Sequence, residues 1–75
     1  MNKELMMMIK KNGLAEGNLI GVDGNAFSVL GYTERKLRRS GWPRDDVAKV
    51  MTIAKGSDYN NLLTTCVSVL DGDDY

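Results

Sequence analysis

Three signals for the start of a helix recur along this chain, and they constrain its fold more than any other feature. They are Asp23-Gly24-Asn25-Ala26-Phe27, Gly41-Trp42-Pro43-Arg44-Asp45-Asp46 and Gly56-Ser57-Asp58-Tyr59. Gly41 and Gly56 also close the preceding helix, because a glycine just past the last turn is a common helix end. Pro or Asp then opens the next helix. The pattern predicts consecutive helices joined by short connections.

Apolar spacing places the helices between these signals. Four helices are predicted at about 2–11, 25–40, 43–55 and 58–70, with residues 18–22 extended. The predicted core comprises Phe27, Leu30, Leu37, Val47, Val50, Met51, Leu62, Leu63, Cys66 and Leu70. The predicted fold class is therefore mainly α, a small three- to four-helix bundle with one short extended segment.

The length of the chain bears on the number of domains and on self-association. The 75 residues predict a single domain 1–75, with an N-terminal helix, a helical core at about 25–70 and a frayed acidic tail 71–75. Chains this short bury only roughly 60% of their unfolded surface and often need a disulfide, a metal or oligomerisation. Cys66 is the only cysteine and there is no histidine, so neither an internal disulfide nor a zinc site is expected. A homodimer through the N-terminal helix or the 18–22 segment is the remaining expectation.

The distribution of charge and hydropathy bears on location and partners. Net charge is zero, but residues 23–40 carry four cations against two anions, whereas residues 41–75 carry three cations against six Asp. The apolar run Leu5–Ile9 is shorter than a signal-peptide core, and no segment approaches the roughly 20 apolar residues of a membrane span. We expect a cytoplasmic protein with a reduced thiol and no membrane partner.

The basic helix is the clearest polar surface feature. Tyr32, Arg35, Lys36 and Arg39 are spaced i, i+3, i+4 and i+7 and share one arc. Cations around an aromatic ring suit a nucleic-acid backbone or an acidic protein surface. A solvated helix face with cations near the helix C-terminus is the interpretation we favour. Neutral net charge weighs against nucleic acid, since domains that bind it are usually basic.

No constellation of residues predicts catalysis, a cofactor or a metal. The usual general base is missing because there is no histidine. Cys66 lies in an apolar stripe, which predicts a buried, unreactive thiol. Asp23-Gly24-Asn25 resembles a fragment of a calcium loop, but the expected further oxygen ligands are replaced by apolar residues, which favours a turn and helix cap. We predict that the protein is not an enzyme and has no cofactor.

Two apolar features are candidates for contact with a partner. Met6, Met7 and Met8 give the first helix apolar atoms on every side, so some of them must face something other than its own core. Trp42, before Pro43, is expected to pack across the two helices that it joins; an exposed Trp42 would instead anchor a partner. The candidate partner-binding residues are therefore Tyr32, Arg35, Lys36, Arg39, Met6, Met7 and Trp42.

One resemblance to known proteins accompanies these patterns. The stretch Asn18-Leu19-Ile20-Gly21-Val22-Asp23-Gly24-Asn25-Ala26-Phe27, with Gly56-Ser57-Asp58-Tyr59 and Leu62-Leu63, resembles a group of small uncharacterised phage and prophage proteins. It spans about residues 18–70; this chain differs by Ser57 in the turn and by an added N-terminal helix. The resemblance implies phage or prophage origin and no particular activity.

The composition, the charge distribution and the apolar features favour one function and leave one alternative. The sequence predicts a small non-enzymatic interaction protein that binds a host or phage protein. The alternative is a weak nucleic-acid-binding module that uses the basic helix at about 25–40.

Overall fold

Four helices and two short strands follow one another in the computed structural model, which describes residues 2–72. They are α1 Lys3–Asn12, β1 Ala15–Glu16, α2 Ala26–Arg39, α3 Arg44–Ala54, α4 Tyr59–Val69 and β2 Leu70–Asp71. The predicted mainly helical bundle is confirmed, and each helix end lies within one residue of its predicted position. Along residues 2–72, no helix combines the length and apolarity that crossing a membrane requires.

Local side-chain caps explain why the helix bounds follow the sequence so closely. Asn2, Asn25 and Asp58 each accept a hydrogen bond from a backbone N–H of the first turn, over 3.0, 2.8 and 2.9 Å respectively. Such a bond satisfies one of the donors that a helix N-terminus leaves unpaired. Gly13 ends α1 with φ of 81° while its N–H donates to the Ile9 carbonyl. This backbone conformation favours glycine.

The predicted extended segment at 18–22 is wrong. The two strands lie elsewhere and pair in parallel, with Ala15 opposite Leu70. Residues 18–22 instead form a turn in which the Val22 N–H donates to the Leu19 carbonyl over 3.0 Å. Strand preference depends on an available partner, and the end of α4 brings a free backbone edge to Ala15 rather than to this segment.

The predicted tail is likewise shorter than expected. Asp71 belongs to β2 and pairs with Glu16 of β1, so the chain remains attached to the fold beyond α4. The prediction of a frayed end at residues 73–75 lies outside the described residues.

Two adjoining clusters of buried side chains make the core. The larger joins α1, both strands, the end of α4 and the junction of α2 with α3: Leu5, Met8, Ala15, Leu37, Trp42, Val47, Val50, Val69 and Leu70. The smaller joins α2, α3 and α4: Val29, Ala54, Leu62 and Cys66. Leu30, Met51 and Leu63, which were predicted to be core, are half-buried and pack against these clusters.

Phe27 is the one predicted core residue that the structure places outside. Its side chain is 85% exposed. The buried face of α2 carries Val29, Thr33 and Leu37, which are four residues apart. Phe27 precedes Val29 by two residues, which is about 200° around a helix, so both cannot face the core.

Helix α1 is held against α3 by apolar and charged contacts. Leu5 and Met8 are buried in the larger cluster. The Lys11 ammonium lies 2.8 Å from the Asp46 carboxylate, which also accepts a hydrogen bond of 2.9 Å from the Asn12 amide. These contacts fix one side of α1 and thereby determine which side faces solvent.

Candidate functional site

The outer face of α1 carries two exposed methionines. Met6 is 53% and Met7 is 67% exposed, whereas Met8 is buried. Consecutive residues are about 100° apart around a helix, so a run of three methionines cannot face the core together. The expectation that part of this run faces away from the core is confirmed.

A lysine lies at each end of the methionine pair. Lys3, Met6, Met7 and Lys10 follow the spacing i, i+3, i+4 and i+7 and occupy an arc of about 100° on one side of α1. We call these four residues the outer stripe. With Ile9 and Ser68 they line a shallow, open depression beside α4. The methionines were predicted as candidates and the lysines were not, although the same i, i+3, i+4, i+7 spacing relates all four residues.

The lysines of the outer stripe differ from the other charges of α1. Glu4 pairs with Lys49 of α3 over 3.2 Å, and Lys11 pairs with Asp46. Among residues 2–72, neither Lys3 nor Lys10 forms an ion pair with a carboxylate. The charged residues on the side of α1 that faces α3 are thus paired with opposite charges. The two lysines of the outer stripe are not paired with any carboxylate of residues 2–72.

Tyr32 is not a free aromatic platform on the basic helix. It is half-buried, and its hydroxyl accepts a hydrogen bond of 3.1 Å from the Asn18 N–H. Gly17 approaches it so closely that a Cβ atom there would lie 2.8 Å from the Tyr32 hydroxyl oxygen. The Lys36 ammonium and the Arg35 guanidinium lie 5.3 and 6.0 Å from the ring centroid. Stacking of a base on this ring would require these contacts to be displaced.

The cations of α2 are only partly available. Arg35 and Arg39 are exposed, whereas Lys36 is half-buried. Arg38, beside the arc, pairs with Glu34 over 2.8 Å. The structure brings the four arc residues to one side of α2, as the spacing predicts, but leaves Arg35 and Arg39 as its exposed members.

Trp42 does not qualify as an exposed anchor. It is 4% exposed and lies in the larger core cluster. Its indole Nε1–H donates a hydrogen bond of 3.1 Å to the Gly13 carbonyl, which attaches the end of α1 to the junction of α2 and α3. Its inclusion among partner-binding residues is corrected, while the expected packing at the helix junction is confirmed and extends to α1.

The thiol and the calcium-like turn both have structural explanations. Cys66 is fully buried, and this burial raises the pKa of the thiol, with a hydrogen bond to Thr33 acting in the opposite direction. The Asp23 carboxylate accepts a hydrogen bond of 3.1 Å from the Asn25 N–H, and Asn25 caps α2. Within residues 2–72, no three His, Cys, Asp or Glu side chains converge as metal ligands.

A second apolar surface surrounds Phe27. Phe27 borders a shallow depression between the N-terminal ends of α2 and α4, which Tyr59 and Leu62 also line. The Tyr59 hydroxyl donates to the Gly24 carbonyl, so the ring is held at the rim. No sequence signal identified this surface, because the face of α2 that carries Val29, Thr33 and Leu37 is selected by packing against the other helices.

The chain matches no family model, no curated protein and no solved structure. The resemblance of residues 18–70 to small phage and prophage proteins therefore stays a prediction.

Proposed function

We propose that this chain is a small non-enzymatic interaction protein that binds a host or phage protein through the outer stripe of α1. The exposure of Met6 and Met7, at 53% and 67%, is the observation that carries the proposal. Covering the remaining surface of both side chains is worth about 2–4 kcal/mol at the usual transfer free energy. Methionine side chains also adapt to the shape of a partner. Phage or prophage origin and a cytoplasmic location belong to the same proposal.

The attachment of α1 supports this function. Leu5 and Met8 are buried beneath the helix, and the Lys11–Asp46 and Glu4–Lys49 pairs lie along its side. The outer stripe is consequently presented on an ordered helix. Binding to an ordered helix costs less conformational entropy of this chain than binding to a flexible segment that must first become ordered.

Affinity purification with a paired control tests this surface. The Met6→Glu/Met7→Glu variant replaces both exposed methionines with charges, while Phe27→Glu makes the same kind of change on a distant apolar surface. We expect the wild type and Phe27→Glu to recover the same protein, and the double variant to lose it. Recovery of that protein by the double variant, but not by Phe27→Glu, would move the binding site to the Phe27 surface.

A second copy of the chain is another partner for the same face, since the predicted homodimer uses either the N-terminal helix or the 18–22 segment. Light scattering at micromolar concentration measures this directly. A dimer that dissociates in the Met6→Glu/Met7→Glu variant would assign the face to self-association, and a wild-type monomer would leave it to a different protein.

The alternative proposal is weak nucleic-acid binding through α2. Arg35 and Arg39 are the exposed cations that support it. Any binding through two arginines should be non-specific and should weaken steeply with salt. The test is titration of labelled single- and double-stranded DNA and RNA at low and physiological salt, with Arg35→Glu and Arg39→Glu as charge reversals. Binding that survives physiological salt, yet is lost in both reversals, would favour this alternative.

A further inference from the structure

We infer that the outer stripe binds an acidic amphipathic helix, in which two carboxylates flank an apolar pair. This inference rests on the proposed function and specifies the chemistry of the partner. It follows from the order of side chains along the stripe: lysine, methionine, methionine, lysine, at positions 3, 6, 7 and 10.

The spacing of the lysines determines the spacing of the partner's acids. Lys3 and Lys10 are seven residues apart, which corresponds to about 10.5 Å along the axis of α1. Carboxylates at positions i and i+7 of a second helix have the same separation. Apolar side chains at i+3 and i+4 of that helix then lie over Met6 and Met7. A helix aligned along α1 can therefore satisfy all four positions at once.

The charges of α1 indicate an acidic partner rather than a neutral one. Glu4 and Lys11 already have oppositely charged partners on α3. Among residues 2–72, Lys3 and Lys10 form no ion pair, so neither ammonium group is held by a carboxylate of that part of the chain. Charges at the rim of an apolar contact contribute mainly to the choice and orientation of the partner.

The same geometry disfavours a second copy of the chain. A symmetric pair of stripes brings the lysines of one copy towards those of the other. Like charges placed together oppose association. The stripe therefore fits a different chain better than it fits itself.

The geometry also disfavours an anionic membrane. Helices that lie in a membrane surface insert a broad apolar face. Of the other large apolar side chains of α1, Leu5 and Met8 are buried in the core and cannot insert, and Ile9 is half-buried against it. Two methionines between lysines form too narrow a face for this mode of binding.

A helix-display library tests the inference with defined probes. The library presents one stable helix in which positions i, i+3, i+4 and i+7 are randomised, and it is selected against the full chain. Binders that also bind the Met6→Glu/Met7→Glu variant are removed. We expect Asp or Glu at i and i+7, with Leu, Ile, Met or Phe between them.

Charge reversal provides the matched control. The exposed positions of Lys3 and Lys10 permit the variant Lys3→Glu/Lys10→Glu without disturbing the core, and circular dichroism verifies that its helix content is retained. We expect it to bind the selected acidic helix about tenfold more weakly. Selection against this variant should yield Lys or Arg at i and i+7.

The outcomes separate this inference from the proposed function. Methionine-dependent binders without a preference for acids would overturn the acidic partner and leave the protein-binding surface in place. An absence of methionine-dependent binders would overturn both. Binding to phosphatidylserine vesicles that is lost in the Met6→Glu/Met7→Glu variant would replace the helix partner with a lipid surface.

Discussion

Asp46 offers a sharp test of how α1 is held in place. Its side chain is only 10% exposed, yet it carries a charge that interacts with Lys11 and Asn12. The hydrogen bonds from Lys11 and Asn12 hold the pKa of Asp46 below its usual value, although burial acts in the opposite direction. The substitution Asp46→Asn removes the charge while almost preserving the shape of the side chain.

The expected cost of this substitution combines two contributions. A charge-assisted hydrogen bond contributes about 1.5–3 kcal/mol to stability. We assign about 1 kcal/mol to the Lys11–Asp46 interaction, because the Lys11 side chain is 61% exposed and solvent screens its charge. The favourable position in the first turn of α3 adds about 0.3–1 kcal/mol. Asp46→Asn should therefore lower the free energy of unfolding by about 1–2 kcal/mol at pH 7.

Asp45→Asn is the matched control. Asp45 lies in the same first turn but is exposed, and among residues 2–72 it forms no ion pair. Its replacement should cost only the helix-dipole contribution of about 0.3–1 kcal/mol. Urea unfolding followed by the fluorescence of Trp42, which is the only tryptophan, measures both variants. Equal costs for the two substitutions would refute the assigned role of Asp46.

The dependence on pH provides the second criterion. Because the pKa of Asp46 is lower in the folded than in the unfolded chain, its stabilisation is complete above the unfolded value of about 3.9. It is lost as the pH falls through the folded value. The wild type and Asp46→Asn should thus differ by a constant amount from pH 7 to about pH 5 and converge in stronger acid. In strong acid, Asp46 is protonated in both the folded and the unfolded wild type. A difference in the free energy of unfolding that persists there would contradict the electrostatic explanation.

Further predictions concern the core and the thiol. Leu37→Ala should lower the free energy of unfolding by about 2–5 kcal/mol because Leu37 is fully buried, whereas Phe27→Ala should change it by less than about 0.5 kcal/mol; urea titrations compare them directly. Trp42→Phe should lower the free energy of unfolding by about 0.5–1.5 kcal/mol, measured by thermal unfolding, because it removes the hydrogen bond to Gly13. Cys66 should react with Ellman's reagent slowly in the native chain and rapidly in urea, since burial disfavours the thiolate; equal rates would contradict its burial.

Part of the outer stripe of α1 was predictable from the sequence and part was not. The run Met6-Met7-Met8 required some exposed methionine by helix geometry alone. Which of the three would be buried depended on the side of α1 that meets α3. That side became known only from the contacts of Leu5 and Met8 with the core. That Lys3 and Lys10 form no ion pair among residues 2–72 likewise depends on where the carboxylates of other elements lie.

The errors share a physical cause. A parallel pair such as Ala15 with Leu70 joins residues far apart in sequence, and no local preference specifies it. The exposure of Phe27 similarly depends on which faces of neighbouring helices meet. So does the burial of Trp42, which was expected to pack at the helix junction but was also counted among the partner-binding residues. An aromatic side chain is equally apolar whether it is buried or exposed, so the residue type alone does not predict its burial.

The sequence by itself determined the four helices and their ends. Asn2, Asn25 and Asp58 cap three of the helices through bonds to residues only two or three positions away, and Pro43 precedes α3, which has no side-chain cap. Glycines and the spacing of apolar residues act over equally short distances. The tertiary structure alone decided the strand pairing, the burial of Asp46 beside Lys11, and the face of α1 left to solvent. These features depend on contacts between distant parts of the chain, whose geometry exists only after the helices have packed together.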